Sequence, residues 1–213
     1  SEIILNDISG DGFVSIILDV ETGERRVLPR PVSAIGRRGR RAISLNFARL
    51  HTKRPGYGYA GPADQYASER HPDGDGIFVM DLETGENWLT VSMQDVYEYH
   101  DCRPEMENLA LWFNHTLFNK NDSRFVFLSR FCDGGPRKTA MFTSDLEGND
   151  LRCLVDYGLV SHFDWLDDRE ILAWANIGNQ GDAFYMINDV NGEFYKVGEG
   201  ILTQDGHCSF SPD

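Results

Sequence analysis

Three times in this chain a histidine stands three residues before an aromatic side chain: His115 before Phe118, His162 before Trp165 and His207 before Phe210. From 115 to 162 the spacing is 47, and from 162 to 207 it is 45. A period of roughly 40 to 50 residues is that of one four-stranded blade of a β-propeller. Around the first histidine, residues 114–130 read as strand, tight turn, strand. His115 opens an apolar run, Asn121-Asp122-Ser123 supplies the turn, and the β-branched and aromatic run from Phe125 to Leu128 has strand length.

A second repeat runs out of phase with the first. Asp19-Val20-Glu21-Thr22-Gly23, Asp81-Leu82-Glu83-Thr84-Gly85, Asp145-Leu146-Glu147-Gly148 and Asn188-Asp189-Val190-Asn191-Gly192 each follow one apolar run and precede another. They read as hairpin turns with glycine where φ is positive. One His-x-x-aromatic hairpin followed by one Asp-x-x-x-Gly hairpin makes four strands. The fold class is therefore all-β, a β-propeller of four-stranded antiparallel blades, expected here as a fragment of about four blades. The predicted blades cover about 1–30 in part, 31–92, 112–157, 160–198 and, in part, 201–213, in one partial propeller domain over 1–213. Insertions are expected at 48–75 and 92–111, the second opening with a helix-start signal at Ser92-Met93-Gln94-Asp95.

Charge narrows the partners. The net charge is −14, yet residues 25–54 hold ten of the 20 Lys and Arg and no Asp or Glu. That stretch, Arg49 included, reads either as attraction for an anionic ligand or as solvated turn residues. Nucleic acid is disfavoured because the rest of the surface is acidic. No run is long and apolar enough to span a membrane. Cys102, Cys132, Cys153 and Cys208 form no Cys-x-x-Cys pair and read as buried reduced thiols, so the compartment stays open between cytoplasm and periplasm. A protein partner remains possible.

Long unstructured insertions tend to be functional. The loop after Ala48 carries Tyr57 and Tyr59 beside basic residues, suited to stacking on a sugar or to packing between blades. His100-Asp101-Cys102 reads as an exposed loop, and Asp73-Gly74-Asp75-Gly76 as a turn lacking the ligands of a calcium loop. Innermost blade strands line the propeller channel, so His115, His162 and His207 are expected to gather at one end of it. There they either serve chemistry or bond neighbouring loops. Grouped imidazoles suit a divalent transition metal.

Gln204 precedes His207 by three residues, and Phe210-Ser211-Pro212-Asp213 follows. With His162 and His115 one and two blades earlier, this pattern resembles the oligogalacturonate lyases over about residues 110–213. Those are β-propeller enzymes that bind a manganese-type cation through histidines and a glutamine on successive blades. The resemblance implies His162, Gln204 and His207 as ligands of a divalent metal, His115 as the base, and an acidic oligosaccharide as substrate. Where the family has a further histidine this chain has Ser209, a poorer ligand.

The chemistry implied is metal-assisted β-elimination from a uronate-containing glycan, with Arg130 helping to stabilise the enolate-like intermediate. A non-catalytic propeller resembling TolB-like repeats, binding a glycan or a protein, is the alternative. Paired carboxylates for a glycosidase are not found, because Asp164 and Asp182 have no repeated counterpart.

Overall fold

The hairpin turns form as the Asx residues dictate. In a computed structural model that describes residues 1–211, Asp81 Oδ1 accepts from the N–H groups of Glu83 and Thr84 at 2.9 and 3.0 Å. Asp19 does the same with Glu21 and Thr22, and Asn188 with Val190 and Asn191. Gly85 closes its turn at φ 76°, a region where a side chain would strain the backbone. The backbone donors, led by those of Thr22 and Thr84, hold the Asp19 and Asp81 carboxyls below their ordinary range.

Two compact units result, Ser1–Asn114 and His115–Asp213. The first begins with β1 (Glu2–Ser9), β2 (Gly12–Asp19) and β3 (Arg25–Leu28) in a three-stranded antiparallel sheet. Next, β4 (Ala34–Ile35), β5 (Arg41–Ser44), β6 (Gly76–Asp81) and β7 (Asn87–Ser92) form a four-stranded one. Ile17, Leu28, Ala42, Met80 and Leu82 make a buried cluster in this unit.

Beyond the sheets the chain departs from the expected plain loop. Helix α1 (Phe47–Lys53) follows β5 directly, because Asn46 caps it by accepting from the Arg49 N–H at 2.8 Å. Strand β5 ends at Ser44, three residues before the helix begins. Helix α2 (Met93–Tyr99) starts at the signal seen in the sequence: Ser92 accepts from Asp95 N–H while the Asp95 carboxylate accepts from Ser92 N–H, a capping box. A single 3₁₀ turn (Pro104–Met106) follows. Among the described residues no helix is long and apolar enough to cross a membrane.

The second unit is built of two meanders. The first consists of β8 (Trp112–Phe118), β9 (Arg124–Phe131), β10 (Lys138–Asp145) and β11 (Arg152–Gly158). Its neighbour in sequence consists of β12 (Val160–Trp165), β13 (Glu170–Asn176), β14 (Asp182–Asn188) and β15 (Phe194–Val197). Strand β9 is buried on both faces, which is why it reads as a continuous apolar run rather than an alternating one. Val126, Leu128, Met141, Trp165, Ile171 and Tyr185 belong to one core shared by the two meanders, each fully buried.

Ion pairs close the edge of this core. Asp189, 1% exposed, takes Arg124 Nε at 2.6 Å and Arg152 Nη1 at 3.4 Å. Its other oxygen accepts a short bond from the Thr143 hydroxyl. Arg124 Nη1 reaches Asp150 at 2.9 Å, so the hairpins of both meanders meet in one charged network.

Of the segment 201–213, expected to open a fifth blade, residues 201–211 form no strand, and Pro212 and Asp213 lie outside the described residues. Side chains hold it instead: Phe210 N–H donates to Asp164 Oδ2 at 3.2 Å, and Cys208 Sγ lies 3.8 Å from the Leu172 carbonyl. The cysteines are all free thiols, but the expected burial is not found. Cys102 and Cys132 are exposed, and Cys153 and Cys208 are half-buried. His100, read from sequence as exposed, is 8% exposed.

Candidate functional site

Backbone irregularity marks two of the three repeat histidines. His115, inside β8, has φ 51°, a left-handed value uncommon for a residue with a β-carbon. His162 lies in a bulge: Val160 pairs with Ala175 but Phe163 with Ala173, so two residues on β12, Ser161 and His162, face one on β13, Trp174. Both devices turn a side chain away from the direction a regular strand would give it.

The turned side chains converge. His115, His162 and His207 line a single cavity of about 200 Å³, together with Thr116, Phe163 and Cys208. The rings of His162 and His207 lie 4.0 Å apart, centroid to centroid, tilted by 48°. His162 Nδ1 is 2.9 Å from Asp205 Oδ1 and 3.3 Å from the Ser161 hydroxyl. In the tautomer whose Nδ1–H donates to Asp205, Nε2 presents its lone pair, the arrangement that orients a metal-binding imidazole. Cys208 is not suited to ligation: burial, seconded by the charge of Asp164, pushes its thiol up to about 11.

Sequence reasoning named Gln204 and passed over its neighbour. Gln204 is exposed and does not line the histidine cavity, whereas Asp205 bonds His162. An acidic residue two before His207 was the available signal. Ser209 is also exposed. Imidazole is a usual ligand for a borderline divalent cation, but among the described residues His115, His162 and His207 do not bring three ligand atoms within 4.8 Å of one another, as a shared ion would require.

Arg130 is elsewhere. It sits opposite Thr139 on β9, is 2% exposed, and is absent from the cavity lining. Arg49 is fully buried in α1, and all five of its N–H groups find acceptors. Nε donates to the Leu111 carbonyl at 2.6 Å, Nη1 to Asp64 Oδ2 and the Tyr66 carbonyl, and Nη2 to the carbonyls of Glu69 and Arg70. With its fork so engaged, Arg49 holds the insertion in place and offers nothing to a ligand. Tyr59 stacks on Phe47 at 4.4 Å and its hydroxyl accepts from Asn6. Tyr57 lies under the Arg54 guanidinium at 3.4 Å. Both tyrosines keep an exposed part, 48% for Tyr57 and 41% for Tyr59.

Antiparallel four-strand meanders in series are the blades of a β-propeller, and comparison with solved structures agrees. The tricorn protease aligns over 98% of this chain and 19% of its own, at 14% identity and a TM-score of 0.54. An oligogalacturonate lyase from Vibrio parahaemolyticus aligns over 88% of this chain and 50% of its own, at 13% identity and a TM-score of 0.50. TolB from Acinetobacter baumannii aligns over 92% and 40%, at 12% identity and a TM-score of 0.44. The chain thus spans half or less of the length of these proteins, and at such identities the likeness is one of fold. No family model matches the sequence, and no curated protein does.

Proposed function

We propose that this chain is part of a propeller lyase that cleaves a uronate-containing oligosaccharide by β-elimination. The observation that carries the reading is the convergence of three repeat-equivalent histidines on one cavity, two of them from distorted backbone. Strain and bulges persist where the surrounding fold holds a side chain for a purpose.

In this reading His115, exposed on the cavity, is the base. Imidazole is half-charged near neutral pH, so it can accept the weakly acidic proton beside the sugar carboxylate. The electron pair of that C–H bond becomes the new carbon–carbon double bond as the glycosidic oxygen leaves and is protonated. His162 and His207 would hold a divalent cation, without Gln204, which does not line the cavity. When bound, the cation supplies positive charge beside the substrate carboxylate. Asp205 keeps the His162 ring in register, and Phe163 and Leu117 give the cavity apolar lining. Arg130, buried and absent from the cavity lining, takes no part, and neither does Arg49, whose donors are all engaged.

The test is the ultraviolet absorbance of unsaturated product on mixing the full chain with oligogalacturonate, with and without a chelator. A chelator-sensitive rise, abolished by His115→Ala with substrate binding retained, is expected. No rise on this substrate sinks the elimination chemistry. It would favour a binding propeller, the reading to which exposed Gln204 and Ser209 lend weight.

A further inference from the structure

A second cavity, of about 370 Å³, opens within the first unit, and Arg30, Tyr66 and Asp75 line it beside Phe13, Phe47 and Phe78. It shares no residue with the histidine cavity.

Arg30 is built for a ligand in a way Arg49 is not. Its guanidinium carbon lies 3.3 Å over the Phe78 ring, and its Nε donates to Asn87 Oδ1 at 2.6 Å. Those two contacts fix the plane of the group. Among the described residues neither terminal nitrogen has a hydrogen-bond partner, so four N–H groups remain available. Tyr66 is similar, with its backbone carbonyl taken by Arg49 and its hydroxyl unengaged among the described residues. The hydroxyl sits over Gly74, where a β-carbon would come within 2.7 Å of it, so the space for that oxygen depends on glycine.

A flat guanidinium with both amines open suits a planar oxyanion held by two parallel bonds. Charge then selects among oxyanions. Asp75 and Asp11 line the same cavity, so a dianion such as a phosphate monoester meets about twice the repulsion that a single charge does. Phe13 and Phe47 supply a wall for the apolar face of a ring, and the Tyr66 hydroxyl and exposed Gln65 amide can bond ring hydroxyls. The volume lies within the usual range for small-ligand sites, about 300 to 1,000 Å³. We infer that this cavity binds a small monocarboxylate carried on a hydroxylated ring, with Arg30 as its anchor. The inference is independent of the lyase reading.

Calorimetric titration of the full chain with D-glucuronate, D-glucose and D-glucose 6-phosphate tests it. Glucuronate is expected to bind at least about tenfold more tightly than either other sugar, the usual worth of a charge-assisted pair. Arg30→Gln should lose about that factor, and Tyr66→Phe, which removes a hydroxyl without a protein partner, about threefold. Glucuronate binding no better than glucose, or weaker than glucose 6-phosphate, overturns the inference. So does affinity that survives Arg30→Gln, which would place the carboxylate away from this guanidinium. If Arg30→Gln does not fold, the wild-type ranking and Tyr66→Phe decide.

Discussion

Each unit of this chain holds arginine away from water, and the two do so by different means. In residues 1–114 one helix residue, Arg49, gathers four backbone carbonyls and a single carboxylate from a long insertion. In residues 115–211 two strand residues, Arg124 and Arg152, meet two carboxylates, Asp189 and Asp150, at hairpin ends. The first arrangement orders a loop that has no ladder of its own, substituting guanidinium bonds for strand pairing. The second joins elements that are already paired. Removing the hub should therefore cost more in the first unit than in the second.

The largest effect is expected from Arg49→Ala. It takes the side-chain donor from the buried Leu111 carbonyl and from that of Glu69, and the cation from the Asp64 carboxylate, 4% exposed at its side chain, and should lower stability by about 3–5 kcal/mol in urea unfolding. Arg49→Lys should recover little, since an ammonium has three donors and no fork. If Arg49→Ala costs less than 1 kcal/mol, roughly the worth of one ordinary hydrogen bond, the insertion is held by something else. Asp189→Asn comes next, at about 2–3 kcal/mol, because the amide keeps part of the hydrogen bonding and Arg124 and Arg152 retain Asp150. A loss equal to that of Arg49→Ala would erase the contrast between the units.

A smaller effect separates the units by pH. Burial raises the Asp75 carboxyl above its ordinary 3.8, against the opposing bonds from Asn46 and the charge of Arg49. The folded chain therefore binds this proton more tightly than the unfolded chain. The stability Asp75 contributes is full below 3.8 and declines as pH rises through its folded value. Wild-type stability measured relative to Asp75→Asn should fall over that window, and a flat difference would contradict it. The last prediction concerns reactivity and leaves stability untouched. With its thiol at about 11 instead of 9.0, Cys208 should carry about a hundredfold less thiolate at pH 8 than an ordinary cysteine. Mass spectrometry after brief iodoacetamide treatment should find exposed Cys102 and Cys132 labelled well before Cys208.

The same contrast separates what was legible in the sequence from what was not. In the second unit the period of the histidines and the Asx-Gly turns announced the meanders, because hairpin chemistry is local: Asn188 needs only the N–H groups two and three residues on. The convergence of His115, His162 and His207 followed from repeat position alone. The first unit's insertion carried one readable signal, the Ser92 capping box, and hid another, the Asn46 cap that opens α1. Arg49 was legible as a cation and illegible as a hub, since its acceptors lie from 15 to 62 residues away.

Alone, then, the sequence determined the blade, its turns and the three histidines at one repeat position, all consequences of side chains acting on the backbone within a few residues. Tertiary structure decided which arginine is spent and which is open, that Asp205 rather than Gln204 stands beside His162, and that Arg30 faces a cavity. These depend on contacts between residues distant in the chain, which no local pattern encodes.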